Sequence, residues 1–229
     1  MAIINKANDM VYKNTMFILS ILICFVLYGQ EKIIFKDNFV NNKNRWKLVK
    51  TDDEFSVRIK NNALYFKKNH RNMVNNGCLW FEKKIRKFKT EKDFVITFYA
   101  KILSSDDVTN GFDFQWGNIK EDTDTSTNIS ASLYQLEIGL KDMHLTKFDN
   151  LNGWTYYDRS DSYTETLNYT LQYRVLYKYD IIQKKDTLTV LINDKMVYAL
   201  PIKPQEGKSI GVQQCLKSHW FLSRLSIKQ

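Results

Sequence analysis

The sequence predicts an all-β protein, built as a two-sheet antiparallel sandwich. Apolar and polar residues alternate with period 2 in several segments after residue 30, most clearly where Phe94, Ile96 and Phe98 share one face of a strand and Thr97 and Tyr99 the other. This period is typical of strands with one buried face. Two short Asn/Asp turns separate alternating segments, and no window of about 12 residues carries a helical apolar stripe.

We expect about a dozen strands along the chain. The segments with strand-like composition are 32–39, 55–60, 63–68, 78–85, 93–102, 111–116, 133–138, 143–148, 173–179, 187–192, 195–200, 209–213 and 221–227. Asn61-Asn62 and Asn193-Asp194 each join two of them, and because Asn and Asp tolerate positive φ, both predict type I′ hairpins. The polar segment 118–130 is the best candidate for a linker between two domains. Since it lies between two good strands, we predict a long loop within one domain.

The N-terminal segment predicts export from the cell. Residues 16–28 are apolar except for Ser20, and Lys6 and Lys13 precede them. The run is shorter than the roughly 20 residues that cross a bilayer, and it fits the apolar region of a secretory signal. We therefore expect a signal peptide over 1–29 and a secreted domain over 30–229. The expected location is periplasmic or extracellular, with no transmembrane segment in the mature chain.

Charge and cysteine content narrow the function classes. The formal net charge is +9, but Lys and Arg are scattered along the sequence, whereas nucleic-acid binders usually gather them along one helix or face. We therefore expect no nucleic-acid partner.

Cys78 and Cys215 are the cysteines of the mature chain. They could form a disulfide in an oxidising compartment or stay as two buried free thiols, and the absence of a Cys-x-x-Cys spacing argues against zinc.

Short motifs follow one another in an order typical of a known superfamily. They are Lys36-Asp37-Asn38-Phe39 with Trp46, Asn62-Ala63-Leu64-Tyr65, and the segments 93–98, 111–117, 186–193 with 195–198, 209–212 and 221–227. In this order the chain resembles the concanavalin A-like lectin/glucanase superfamily, in particular the laminin-G-like jelly rolls of secreted bacterial proteins. The resemblance covers nearly all of 32–228. It implies a jelly roll whose curved sheet often binds glycans, but it does not imply catalysis.

Four polar residues are candidates for a site on that curved sheet. Asp113 and Gln115 alternate with aromatic residues in one predicted strand, and Gln135 and Glu137 alternate with apolar residues in another. If the strands are neighbours, Asp113 and Glu137 share one face. They would then be a carboxylate pair for glycoside hydrolysis, a polar floor for sugar hydroxyls, or an ordinary solvent face. The Glu-x-Asp-x-x-Glu motif of laminarinase-like relatives is absent.

Aromatic residues provide a second candidate surface. The segment 152–163 reads NGWTYYDRSDSY, in which Trp154 and Tyr157 could stack on sugar rings while Arg159 bonds hydroxyl groups. Trp116, at the end of a predicted strand, is a further candidate. The alternative is that these rings fill the core, where large aromatic residues are mostly found.

The preferred hypothesis is a secreted, non-catalytic module that binds a carbohydrate or a cell-surface partner. Its ligand contacts would be Trp154, Tyr157, Arg159, Asp113, Gln115, Gln135 and Glu137. The alternatives are a glycoside hydrolase that uses Asp113 and Glu137, and a structural or adhesive module of the cell envelope. No cofactor is expected, although the resemblance allows for a calcium ion. The three histidines have no metal-ligand spacing, and no aspartate group follows the EF-hand pattern.

Overall fold

The computed structural model describes residues 31–49, 55–68, 79–106, 111–121, 129–150, 161–166, 170–214 and 217–229. The chain divides into two compact units, Met1–Lys32 and Ile33–Gln229, and the strands below belong to the second. The expected signal peptide over 1–29 lies outside the described residues. Within the described ranges no residue is helical, and no helix long and apolar enough to span a membrane is found there.

The described residues form fourteen β-strands. They are β1 (Ile33–Asp37), β2 (Phe55–Lys60), β3 (Ala63–Lys68), β4 (Leu79–Lys84), β5 (Phe94–Ser105), β6 (Phe112–Glu121), β7 (Ile129–Ile138), β8 (Asp142–Asn150), β9 (Asp161–Thr166), β10 (Tyr177–Lys184), β11 (Thr187–Ile192), β12 (Lys195–Pro201), β13 (Ser209–Gln214) and β14 (Ser218–Lys228). The strand-rich reading of the sequence is therefore confirmed.

The strands form two antiparallel sheets that enclose an apolar core. One sheet has the order β12-β11-β10-β5-β14-β3-β2, with β1 also paired to β14, and the other has the order β4-β13-β6-β7-β8-β9. Between them, Trp220 of the first sheet stacks on Phe112 of the second, with ring centroids 4.4 Å apart. Because one face of each sheet contributes to this core, alternate residues of each strand point away from it. The predicted two-sheet sandwich is confirmed.

Both predicted hairpins form with the expected backbone. The turn residues Asn61 and Asn62 have φ angles of 50° and 56°, and Asn193 and Asp194 have 50° and 65°. Positive φ at both central positions defines the type I′ turn, whose twist matches that of the two strands it joins. The sequence therefore identified these two local structures correctly.

Three strand assignments differ from the sequence prediction. The strand expected at 173–179 is β10, which begins at Tyr177, because Arg174 has a φ of 65° and the preceding residues form a turn. The polar strand β9 was missed. Part of the predicted loop 118–130 is strand, since β6 and β7 continue as a paired ladder as far as Glu121 and Ile129. For β9 and for the extended ends of β6 and β7, pairing between strands outweighed the composition of the local segment.

The opening motif is held together by a buried carboxylate. Asp37 Oδ1 accepts a hydrogen bond from the Phe39 N–H at 2.7 Å, and Oδ2 accepts from Asn44 Nδ2 and from Trp46 Nε1, each at 2.6 Å. Trp46 then stacks on Phe81 of the six-stranded sheet, with centroids 5.5 Å apart. Through these contacts, the side chains of Asp37 and Trp46 attach the segment that follows β1 to the core.

Candidate functional site

The two strands that carry the predicted polar residues are neighbours. In the ladder between β6 and β7, Asp113 lies directly opposite Glu137, and Gln115 lies opposite Gln135. The residues between them, such as Phe114, point into the core and are buried. Alternation therefore directs all four polar side chains to the outer face of the six-stranded sheet, as the sequence predicted for neighbouring strands.

The strands on either side extend this polar surface. Gln213 of β13 lies opposite Asp113, while His144 and Thr146 of β8 lie opposite Glu137 and Gln135. We call the resulting surface the polar face; its residues are Asp113, Gln115, Gln135, Glu137, His144, Thr146 and Gln213. Three of these site residues were not predicted from the sequence: Gln213, His144 and Thr146. The sequence shows that polar and apolar residues alternate in their strands. It does not show the order of the strands in the sheet, which brings these residues together.

The centre of the polar face is a network of side-chain amides. Gln115 Nε2 donates to Gln135 Oε1 at 2.6 Å and to Gln213 Oε1 at 3.3 Å, and Gln135 Nε2 donates to Asp113 Oδ2 at 3.2 Å. All four side chains are buried, with exposed fractions of 0% for Gln115, 3% for Asp113, 4% for Gln213 and 8% for Gln135. The network therefore holds these groups in a fixed arrangement, away from bulk water.

The network contains more acceptors than its donors satisfy. Asp113 Oδ1 and Gln115 Oε1 are buried and have no hydrogen-bond partner. A buried acceptor without a partner costs about 1–3 kcal/mol, and such groups are rare in folded proteins. Two oxygen atoms of the face therefore lack a hydrogen-bond partner among the protein groups.

The two carboxyl groups of the face have different environments. Burial raises the pKa of Asp113 well above its ordinary value, and the nearby charge of Glu137 raises it further. Glu137 itself is only partly buried. Side chains directly opposite each other have Cβ atoms about 4.5–5.5 Å apart. The pair thus combines a carboxyl group that favours its protonated form with one that is accessible to solvent, a division of roles found in acid–base sites.

Several predicted site residues fall elsewhere. Trp154, Tyr157 and Arg159 lie outside the described residues, as do Cys78 and Cys215, so their proposed roles stay predictions. For Trp116, the alternative of a place in the core is the one observed. Trp116 points into the core, is 0% exposed and stacks on Tyr134 with centroids 5.7 Å apart, because it alternates with Gln115 and so faces the opposite side of the sheet.

The described residues offer no ready metal site. No three His, Cys, Asp or Glu side chains in this part of the chain come together closely enough to hold an ion. Asp37, one of the aspartates near the predicted strand ends, is surrounded by three hydrogen-bond donors rather than by other acceptors. Its carboxylate therefore serves the packing of the opening loop.

Comparison with known proteins identifies the fold. No protein-family model and no curated protein sequence match this chain. Solved structures do match, among them a Bacillus subtilis protein of unknown function with a galectin-like fold (TM-score 0.57, 10% identity, 87% of this chain and 97% of that chain covered). The chain is also similar to an endo-β-1,3-glucanase from Pyrococcus furiosus (TM-score 0.54, 12% identity, 87% of this chain and 94% of that chain covered). A third similar structure is the exoplasmic/lumenal domain of VIP36 in a Ca2+/Man-bound form (TM-score 0.51, 11% identity, 76% of this chain and 80% of that chain covered). The protein therefore has the fold of the concanavalin A-like lectin/glucanase superfamily.

Proposed function

We propose that this protein is a secreted, non-catalytic module that binds a glycan through the polar face. The observation that carries the proposal is that two buried oxygen atoms, Asp113 Oδ1 and Gln115 Oε1, have no hydrogen-bond partner. Sugar hydroxyl groups are donors as well as acceptors, so they can satisfy these atoms and also bond the neighbouring amides. Secretion is inferred from the N-terminal apolar segment 16–28.

The ligand would enter the face from its partly exposed side. Glu137 and His144 are partly exposed, whereas the amides of Gln115 and Gln213 are buried. A hydroxyl-bearing ligand would therefore contact Glu137 and His144 first and reach Asp113 and the amides with its inner groups. Because the hydroxyl groups of the ligand give up hydrogen bonds to water when they bind, we expect modest affinity for each sugar unit.

The structural neighbours support a carbohydrate ligand at the level of the fold. They include two proteins whose names state a carbohydrate or its hydrolysis, the VIP36 domain in its Ca2+/Man-bound form and the endo-β-1,3-glucanase. A shared fold does not fix function, so the support for a carbohydrate ligand comes from the chemistry of the polar face. Trp154, Tyr157 and Arg159 stay proposed as additional contacts. A bound calcium ion stays a proposal, with no site assigned to it.

A glycan array followed by calorimetry tests this proposal. We expect the purified protein to bind at least one glycan, and Gln115→Ala to weaken that binding by about tenfold, the equivalent of about 1.4 kcal/mol. Thr189→Ala, on the outer face of the other sheet, is the matched control and should leave the affinity unchanged. No binding above background, or equal affinity for the Gln115 variant, would contradict a glycan site on this face.

The carboxyl pair supports a second candidate function, hydrolysis of a glycosidic bond. Asp113 would protonate the leaving oxygen, and Glu137 would act as the nucleophile or as the base for water. The observation that favours this function is their direct cross-strand pairing combined with the raised pKa of Asp113. Release of reducing ends from laminarin or lichenan that disappears in Glu137→Gln would establish it. Binding without release would leave the non-catalytic proposal in place.

A further inference from the structure

The outer face of the eight-stranded sheet differs in charge from the polar face. Four neighbouring strands, β2, β3, β14 and β5, contain Lys and Arg residues but no Asp or Glu. These strands come from distant parts of the chain, which is why the cations look scattered in the sequence. The fold therefore brings them together on one surface.

Four side chains on this surface form a continuous row across the strands. Arg58 lies opposite Tyr65, Tyr65 lies opposite Phe221, and Phe221 lies opposite Lys101. The neighbouring residues along the same strands, such as Trp220, belong to the core, so the row points outward. At the usual strand spacing the row spans roughly 14 Å. It therefore places two aromatic rings between two cations.

Two cations lie over aromatic rings. Lys101 Nζ is 5.5 Å from the centroid of the Phe221 ring, and the Arg224 guanidinium carbon is 5.1 Å from that of Tyr99. Such cation–π contacts hold a flexible cationic side chain in place while leaving its charge available. We call the surface formed by Arg58, Tyr65, Tyr99, Lys101, Phe221 and Arg224 the basic aromatic face.

In the part of the chain that the structure describes, no carboxylate forms an ion pair with Arg58, Lys101 or Arg224. The carboxylate on the adjacent strand β10, Asp180, already accepts a hydrogen bond from Thr97 at 2.5 Å and pairs with Lys178 at 3.0 Å. The pKa of His219, next to the row, is lowered by burial first and then by the charges of Lys67 and Arg58. The local potential is therefore positive.

We propose that the basic aromatic face binds an acidic polysaccharide, a glycan chain that carries carboxylate or sulfate groups. Arg58, Lys101 and Arg224 would pair with the anionic groups, since charge-assisted hydrogen bonds are about twice as strong as neutral ones. Tyr65, whose partly exposed ring carries no cation in the described contacts, would offer an apolar surface to a sugar ring. This site is independent of the polar face, which lies on the other sheet.

The arrangement of the rings favours a polysaccharide over the other polyanions. Single-stranded nucleic acids bind by stacking successive bases on open aromatic faces, but Lys101 and Arg224 already cover Phe221 and Tyr99. Membrane surfaces are bound by inserted apolar residues together with basic ones. In the part of the chain that the structure describes, no strongly exposed large apolar side chain belongs to this face.

Calorimetry with polygalacturonate and heparin tests the proposal. We expect the protein to bind at least one of them, more weakly as salt rises because exposed charges are screened. The double variant Arg58→Gln/Lys101→Gln should bind at least about tenfold more weakly, equivalent to about 1.4 kcal/mol. The matched control is Lys141→Gln/Lys203→Gln, which removes the same charge from two other exposed positions and should change the affinity by less than about twofold.

Three outcomes would overturn the proposal: no binding to either polyanion, equal weakening by both double variants, or tighter binding to oligo-dT or phosphatidylserine vesicles than to the polysaccharides. Melting temperatures of both variants confirm that each is folded. Failure of the Gln115→Ala experiment would affect only the polar face. The two sites are therefore tested separately.

Discussion

Replacement of Asp113 by Asn should make the protein more stable at neutral pH while it weakens the site. The wild-type carboxyl group is 3% exposed, accepts one hydrogen bond from Gln135 at 3.2 Å, and leaves its second oxygen unpaired. Asn keeps the shape and one carbonyl acceptor but carries no charge. The variant therefore removes a buried ionisable group at little cost in packing.

The sign of the effect follows from the direction of the pKa shift. The pKa of Asp113 in the folded protein is raised well above the ordinary value of 3.8. Its contribution to stability is therefore fully present below about pH 4 and is lost as pH rises through the folded pKa. The loss is at most about 1.4 kcal/mol per pH unit. At pH 7 we expect Asp113→Asn to gain about 1–3 kcal/mol over wild type.

Urea unfolding between pH 4 and pH 8, followed by tryptophan fluorescence, measures this difference. The gain of Asp113→Asn over wild type should be near zero at pH 4 and should grow with pH. Asp93→Asn, whose carboxylate accepts a hydrogen bond from the exposed Lys185 N–H at 2.7 Å, is the control and should show no such growth. The reasoning is refuted if the stability difference between Asp113→Asn and wild type is independent of pH, or if the variant is less stable at pH 7.

Three further predictions concern other parts of the structure. Asp37→Asn should lower the free energy of unfolding by roughly 2–3 kcal/mol, because three donors surround the carboxylate and the new amide would face one of them; an unchanged urea midpoint would contradict this. Gly207→Ala should cost about 2–3 kcal/mol, because its Cβ would lie 2.0 Å from the carbonyl carbon of Gly117, and a melting temperature equal to wild type would be inconsistent with that close approach. In an NMR titration the pKa of His219 should lie below 6.5 and rise in Lys67→Gln; a fall would show that Lys67 does not act through its charge.

Local patterns predicted more of the fold than of the site. The hairpin turns at Asn61-Asn62 and Asn193-Asp194 follow from residues that tolerate positive φ. The buried side of β5 follows from strict alternation. The strand β9 was missed because its assignment depends on pairing with β8 rather than on its polar composition. The true start of β10 was missed because a turn with a positive φ at Arg174 precedes it.

The candidate site was predicted in part. Alternation correctly directed Asp113, Gln115, Gln135 and Glu137 to one side of their strands, and the structure made the two strands neighbours. Local alternation alone does not indicate that Gln213 joins them from β13. Nor could it show that the amides would be buried with two acceptors unpaired, because burial depends on the whole assembly of strands.

The sequence by itself determined that this protein consists of strands with one apolar face, joined in places by tight turns, because period-2 alternation and turn chemistry are local properties of the chain. Only the tertiary structure decided which strands lie side by side. That order places Asp113 opposite Glu137 on one outer face and aligns Arg58, Tyr65, Phe221 and Lys101 on the other. Its physical origin is the shared core, in which side chains from distant strands, such as Trp220 and Phe112, pack against each other.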